Sequence, residues 1–358
     1  MLNSLHTVFG LRDSGGRLVF LAPIAGYSNS PMRRMSQRHG ASMTYTEMAS
    51  ARGLLNPTEK TWSLLETTPQ EGAVVAHLFG TEPDVFAEAA MLVERTKRFV
   101  AIDLNAGCPA PKVVQTGAGA ALMKDPQRVH DIIVAMRKAV KLPITVKTRL
   151  GPSPDNMAVY EVLAAAEAAG AAAMTVHGRF TPQGHRGKVN VQLIGEVKRR
   201  AKIPIIGNGD VYSSYTAWQM FEEAGVDAIM LARAAIGNPW IFGDFRAMFV
   251  ANEKPPQLPR TKIRPRRPIR VMQDTFDTHL ELLRVHLQRL QEKYGFVENV
   301  EAALVTSFRC HLFRYLHSLK GANELRGRLN ELATLEAVRL AVKECLQCEA
   351  DYRMKAPQ

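Results

Sequence analysis

The chain has 358 residues, 46% hydrophobic and 22% charged, ordinary globular composition with enough length for a large domain plus a small one. Its 46 Lys and Arg against 34 Asp and Glu leave a formal charge of +12, which favours polyanionic partners such as nucleic acid. Four cysteines, Cys108, Cys310, Cys345 and Cys348, are too few for a disulfide scaffold. No apolar run reaches the ~20 residues that span a bilayer, and residues 1–16 lack a basic start followed by an apolar core. A reduced, cytoplasmic protein without membrane contact is expected.

From residue 18 to 250 one pattern recurs: a short apolar or β-branched run, turn residues, then a helical stretch. The predicted strands are Leu18–Ile24, Met43–Met48, Ala73–Phe79, Val100–Leu104, Pro143–Thr148, Ala172–His177, Ile203–Gly207 and Asp227–Leu231. Helices are predicted over Glu82–Lys97, Pro126–Val140, Ala158–Ala169, Gln192–Ala201 and Ser213–Ala224. Ser30-Pro31, Asp125-Pro126 and Ser213-Ser214 supply start signals. Eight strand–helix units of nearly all-apolar strands predict an α/β protein with a (β/α)8 TIM barrel. A Rossmann sheet would want Gly-x-Gly-x-x-Gly after the first strand, where Ala22-Pro23-Ile24-Ala25-Gly26 stands instead.

Read to their C-terminal ends, the strands close on Pro23, Glu47, His77, Asn105, Lys147, His177, Asn208 and Arg233. Barrel active sites are built on that rim, and a polar residue closing a buried run is costly unless used or paired. Gly207-Asn208-Gly209-Asp210 and Ala232-Arg233-Ala234-Ala235-Ile236-Gly237 follow strands seven and eight. Together they form a candidate phosphate site, with Arg233 available for charge-assisted hydrogen bonds. A lysine such as Lys147 in a barrel mouth could form a Schiff base, stabilise negative charge on an electron-rich ring with help from His177, or pair with Glu47. In Asn105-Ala106-Gly107-Cys108-Pro109, the proline biases Cys108 toward an extended loop over the rim. Free thiols titrate near 8.5 and can serve as general acids at neutral pH.

Beyond residue 250 the composition changes. The predicted organisation is a barrel over 1–250, a basic Pro-rich linker over 251–270 and a helical domain over 271–358. Residues 260–270 hold six basic side chains, and residues 254–358 carry 19 basic against 12 acidic. Helical patterns run over 271–294, 298–318 and 331–352. Phe308, Leu312, Tyr315 and Leu319 fit the core stripe of a three-helix bundle, while Arg309 and Arg314 suit contacts to an RNA backbone. Cys345 and Cys348 have metal-ligand spacing, with only Cys310 and His311 as further candidates, so an exposed helix carrying two thiols is expected rather than zinc.

Taken in order, Leu21-Ala22-Pro23-Ile24-Ala25-Gly26, Thr46-Glu47-Met48, Leu78-Phe79-Gly80, Asn105-Ala106-Gly107-Cys108-Pro109, Lys147-Thr148-Arg149, His177-Gly178-Arg179, Gly207-Asn208-Gly209-Asp210 and Gly237-Asn238-Pro239-Trp240 resemble the tRNA-dihydrouridine synthases, most strongly the bacterial B-type subgroup. The resemblance runs from about residue 18 to 243 and continues weakly through the tail. It implies a barrel that binds FMN, NADPH as reductant, hydride delivery to C6 of a uridine in tRNA, and protonation of C5 by Cys108. By the same resemblance Asn105 holds the uracil, and Pro23, Ile24 and Ala25 line the isoalloxazine. Lys147 and His177 contact its polar edge, while Asn208, Gly209, Asp210, Ala232 and Arg233 hold the phosphate. Arg149 and Arg179 contact flavin or RNA, and the helical tail binds tRNA. No obligate protein partner is implied.

The chain departs from the family in several places. His77 stands where a flavin-bonding Gln is usual, and Gly26-Tyr27-Ser28-Asn29 replaces Gly-Val-Thr-Asp. Ala106 replaces Met, Pro111 replaces Lys, and the segment Phe180–Arg186 is unusual. Two other readings share the barrel: an FMN-dependent oxidoreductase of a small pyrimidine, and a class I aldolase-like lyase using Lys147. A third is an RNA-binding protein whose barrel has lost catalysis.

Overall fold

The computed structural model describes residues 4–11, 16–56, 59–258, 265–295, 297–317 and 319–355. It forms two compact units, Met1–Ala234 with Trp240–Gln257, and Ala235–Pro239 with Leu258–Gln358. The short segment after the last strand thus groups with the tail, a division that the sequence pattern does not mark. Part of the basic linker, residues 259–264, lies outside the described residues.

The first unit is a closed, all-parallel barrel of β1 (Leu18–Leu21), β2 (Met43–Ser50), β3 (Val74–Phe79), β4 (Ala101–Ala106), β5 (Ile144–Arg149), β6 (Ala173–His177), β7 (Ile205–Asn208) and β8 (Ala228–Leu231). The ring closes where Leu18, Val19, Phe20 and Leu21 pair with Ala228, Ile229, Met230 and Leu231. Helices α1 (Leu5–Phe9), α2 (Ser30–Arg38), α3 (Ala51–Leu55), α4 (Glu59–Ser63), α5 (Pro83–Arg95), α6 (Pro111–Val114), α7 (Pro126–Ala139), α8 (Val159–Ala168), α9 (Val191–Arg200), α10 (Ser214–Glu222) and α11 (Ile241–Ala251) complete it. The anticipated caps hold at Asp125 and Ser213, while at α2 the cap is Asn29, one residue before the expected Ser30. Asn29 caps α2 by accepting from the Met32 N–H, Asp125 caps α7 from Arg128, and Ser213 caps α10 from Thr216. Asn29 therefore does the capping that an Asp would do, and its lack of charge costs that helix little.

Alternate residues of each strand fill the barrel. Its lower part is apolar: Leu18, Phe20, Met43, Val75, Ala101, Ala173, Ile206, Ala228 and Met230 form one buried cluster, plugged from the N-terminal side by Leu5 and Phe9 of α1. Each large member stabilises the fold by about 1.5–3 kcal/mol relative to exposure. Higher up, the same alternation places Asp103, Thr145 and Thr175 inside, all fully buried. One irregularity redirects a side chain: the register slips between Tyr45 and Met48 of β2. Such a bulge lets Tyr45 and Met48 share the interior face and turns Glu47 toward the loop after β1.

That loop is held from below by a buried ion pair. Arg33 of α2 donates Nε–H to Glu71 at 2.7 Å and its other donors to the carbonyls of Ser28 and Glu66, while Ser30 and the Thr68 N–H donate to the same carboxylate. Both side chains are essentially sealed from water.

The second unit contains α12 (Ile269–Tyr294), α13 (Val300–Leu316), α14 (Ala322–Arg328) and α15 (Leu335–Lys355). The sequence pattern anticipates α12, α13 and α15 but not α14, a seven-residue helix too short to show a period. Phe276 and Phe308 meet edge-to-face at 5.2 Å, and His279 Nδ1 lies 2.9 Å from the Tyr315 hydroxyl. The rings of His279 and His311 are 4.6 Å apart inside this core. Phe308, Leu312 and Tyr315 are buried as a core stripe, and Leu316 rather than half-buried Leu319 extends it. The expected exposed pair of thiols is corrected: Cys345 is buried, 3.5 Å from the Lys320 carbonyl, and only Cys348 is exposed. Among the described residues no group of three or more His, Cys, Asp or Glu is placed to hold a metal, and no helix is long and apolar enough to cross a membrane.

Candidate active site

Four of the strand ends named from the sequence are brought together at the C-terminal mouth of the barrel by parallel strands in matched register: Asn105 beside Lys147, and His177, with Arg149 on its other side, beside Asn208. Cys108 sits on the loop after β4, half-buried. Its placement comes from Asn105, whose side-chain oxygen accepts from the Gly107 N–H at 3.1 Å and the Cys108 N–H at 2.9 Å. The Cys108 carbonyl in turn accepts from Ala120 N–H. Gly107 lets the loop pass close to β5, since an added Cβ would lie a tight 3.1 Å from the Thr148 backbone. With its oxygen so engaged, Asn105 has its amide NH2 left for a ligand, and that group now faces the Met48 sulfur at 3.5 Å.

The electrostatics of the mouth are those of crowded cations. Burial lowers the Lys147 ammonium to about 8, with Arg149 adding to the fall while Asp103 and Cys108 oppose it. Burial and the neighbouring Arg179 bring Arg149 down to about 10, still charged near neutrality. His177 is held well below its ordinary value by burial and then by Lys147, Arg149 and Arg179, so its ring is neutral at pH 7. The expected alternative of a Lys147–Glu47 ion pair is not formed. Glu47 instead accepts from the Gly26 N–H, and burial raises its carboxyl.

Two arginines assigned to ligand contact are otherwise occupied. Arg179 is 2% exposed; its Nη2 donates to both oxygens of Asp210 at 2.6–2.7 Å and to the Gly187 carbonyl, and Nε to the Arg186 carbonyl. A sealed guanidinium cannot face RNA, so it supports the mouth instead. Arg149 likewise grips the carbonyls of Gly107 and Gly184. These clamps hold the unusual segment 180–186, where the His185 ring stands 6.4 Å from that of His177. Asp210 spends its carboxylate on Arg179 and approaches Arg233 at 3.6 Å. Its contribution to an anion site is therefore limited to its backbone, which adopts a positive φ of 49°.

The loops after β7 and β8 have the form of an anion cradle. Gly209 has φ +117° and leaves no room for a side chain, since a Cβ would stand 2.6 Å from Val189 Cγ2. Asn208 donates to the Met230 carbonyl and ties β7 to β8, and Arg233 is half exposed beside them, following Ala232. Among the buried polar atoms without a hydrogen-bond partner are His177 Nδ1 and Arg179 Nη1. With Pro23 and Ile24 half-buried and Ala25 exposed at the start of the first loop, this donor-rich, cationic mouth with one apolar wall fits a group combining a phosphate with an electron-rich planar ring.

His77 is placed differently from what the sequence suggests. It is nearly sealed, and its Nδ1 lies 2.7 Å from Asp103 Oδ2, whose other oxygen accepts from the Thr145 hydroxyl. Asp103 was missed as a site residue. Its signal was the alternation Ala101, Asp103, Asn105 on one strand face. In the second unit, Arg309 donates to the carbonyls of Leu332 at 2.8 Å and Asn330 at 3.4 Å, tying α13 to the turn before α15. Arg314 is exposed on α13.

The dihydrouridine synthase (Dus) family profile matches residues 20–351. A tRNA-dihydrouridine synthase B from Pseudomonas aeruginosa is 33% identical over 327 residues, covering 91% of this chain and 92% of that protein. A probable tRNA-dihydrouridine synthase from Treponema pallidum is 35% identical over 255 residues, 69% of this chain and 75% of its own length. Among solved structures, histamine dehydrogenase from Rhizobium sp. 4-9 aligns with a TM-score of 0.50 at 12% identity over 77% of this chain and 51% of its own, a likeness of fold alone. The chain belongs to the dihydrouridine synthase family and is a flavin-dependent oxidoreductase.

Proposed function

We propose that the protein reduces uridines in tRNA, with FMN in the barrel mouth and NADPH as the reductant. The observation that carries the reading is the Cys108 loop, fixed by Asn105 beside Lys147 in a cationic mouth. The flavin, when bound, supplies the hydride that adds to C6 of the uracil. Cys108 holds the proton that C5 requires, and Asn105 keeps that thiol over the mouth while its amide NH2 orients the base. Lys147 and neutral His177 donate toward the electron-rich edge of the cofactor, where negative charge develops on reduction. The backbone of Asn208, Gly209 and Asp210, with Ala232 and Arg233, binds its phosphate; Pro23, Ile24 and Ala25 form the wall against its ring. Arg179 and Arg149 act one step back, holding Asp210 and the 180–188 loop. The helical unit and the basic segment before it bind the tRNA backbone, with Arg314 the better placed of the two arginines predicted for it, and the setting is the cytoplasm.

A lysine near 8 also suits imine chemistry, but membership of an oxidoreductase family sets that reading aside. The test is an anaerobic absorbance trace: protein reduced by limiting NADPH is mixed with tRNA transcribed in vitro. Recovery of oxidised-flavin absorbance supports the reading; flavin that stays reduced with every tRNA transcript refutes it. Cys108→Ala should keep its colour and its reduction by NADPH while tRNA turnover falls by about 10²–10⁴.

A further inference from the structure

The interior of the barrel holds a buried ionisable pair that the proposed chemistry leaves unused. Asp103 is fully buried, and His77 is 3% exposed. In register, His77 lies directly beside Asp103, and Asp103 beside Thr145, so three adjacent strands contribute one chain of hydrogen bonds. A carboxylate with one oxygen taken by the Thr145 hydroxyl leaves the other to accept from Nδ1–H of the imidazole. In a neutral ring so paired the proton sits on Nδ1, and Nε2 carries the lone pair. The backbone N–H of His77 is anchored on the Thr46 hydroxyl and its ring on Asp103. Nε2 makes no hydrogen bond within the protein and is not completely sealed from solvent, although the side chain as a whole is 4% exposed. The titratable groups that act on the pair are Tyr45 from β2 and Lys147 from β5, whereas Glu47 is turned away to the Gly26 N–H. Tyr45 is pushed up by burial and then by Asp103, and Lys147 feels Asp103 as a partial counter-charge.

We propose that His77, oriented by Asp103, is a redox-linked proton acceptor: when the cofactor in the mouth gains two electrons, Nε2 takes up a proton from solvent. The inference rests on the flavin reading above. Two-electron reduction of a flavin, here by a reduced nicotinamide or an electrode mediator, adds one proton at its ring and leaves one net negative charge. An imidazole backed by a carboxylate in a low-dielectric interior responds to that new charge by binding a second proton, which becomes Nε2–H. Electrons and protons balance: two electrons enter the cofactor, one proton enters the cofactor, and one enters His77. A neutral amide at the same position could hydrogen-bond but could not take up the charge. His77 is thus a positioning and charge-compensating residue, and Asp103 acts through it.

The experiment is an anaerobic spectroelectrochemical titration of FMN-loaded wild type and His77→Gln across neutral to mildly alkaline pH. The slope of midpoint potential against pH counts protons per two electrons. Wild type should take up about two and His77→Gln about one, so its slope should be about half. Asp103→Asn should lower the count toward that of His77→Gln. Equal slopes in wild type and His77→Gln would overturn the proposal. A second measurement needs no variant: in protein with 15N-labelled histidine, the Nε2 resonance of His77 should move from an unprotonated to a protonated shift on reduction, and an unmoved resonance also refutes it. A chain that retains no FMN would overturn the flavin reading and this inference with it, whereas a flavin-loaded chain with equal slopes overturns this inference alone.

Discussion

Lowering the pH should loosen the helical unit, and the structure sets the size of the effect. His311 lies in the core between α12 and α13, and burial pushes its imidazole down to about 4; unfolded, the same ring titrates near 6.5. The folded state therefore binds fewer protons than the unfolded state between those values. The neutral ring's full contribution is present above about 6.5 and is lost as the pH falls toward about 4. The gap of about 2.5 units corresponds to about 3 kcal/mol in all, of which about 2 kcal/mol is lost by pH 5. His279, fully buried and also held well below its ordinary value by burial and then by His311, acts in the same direction. Backbone hydrogen exchange of the full chain, corrected for intrinsic rates, should show protection of α12 and α13 falling by at least that amount between pH 7.5 and 5. His311→Phe, neutral at every pH, should flatten the dependence whatever it does to absolute stability. Protection in α12 and α13 that holds or rises on acidification would refute the argument.

Other outcomes follow from the first unit. Gly209→Ala forces a side chain onto a backbone at φ +117° and against Val189; a cost of about 1–3 kcal/mol should appear as weaker FMN binding by fluorescence titration. Because Lys147 loses its charge above about 8, affinity of the mouth for FMN should decline as pH rises from 7 to 9, and Lys147→Met should remove that step while Arg149, charged to about 10, sustains residual binding. Arg33→Met leaves the Glu71 carboxylate buried without its counter-charge, a loss of about 3–5 kcal/mol that should lower the melting temperature by roughly 10 °C.

The barrel was legible because its signal is local. Each strand is an apolar run of a few residues, several helices, α2, α7 and α10 among them, start at a capping residue, and a parallel sheet forces the polar strand ends onto one rim. Cys108 and Gly209 were legible for the same reason, since their loops follow directly from strand ends. What the sequence hid was pairing. That His77 would meet Asp103 depends on the register of β3 against β4, and that Arg179 would be drawn inward depends on Asp210, thirty-one residues further on. The β2 bulge that turns Glu47 toward Gly26 is a defect in register, invisible without the neighbouring strand. Helix α14 escaped because seven residues span about two turns, too few for a period to emerge.

The seam between β1 and β8 sets the order in which this protein can be made. Residues paired across it are about 210 apart in the chain, so at the ~5–20 residues per second of synthesis the first strand waits ~10–40 s for its partner. During that interval the ring is an open sheet with two unsatisfied edges, one of them the apolar Leu18–Leu21, the kind of surface that recruits other strands. Ring closure comes after most of the barrel has left the ribosome but before the helical unit has been completed. A nascent chain stalled just short of Ala228 should therefore engage chaperones and resist compaction, and one extended past Leu231 should become protease-resistant in a single step.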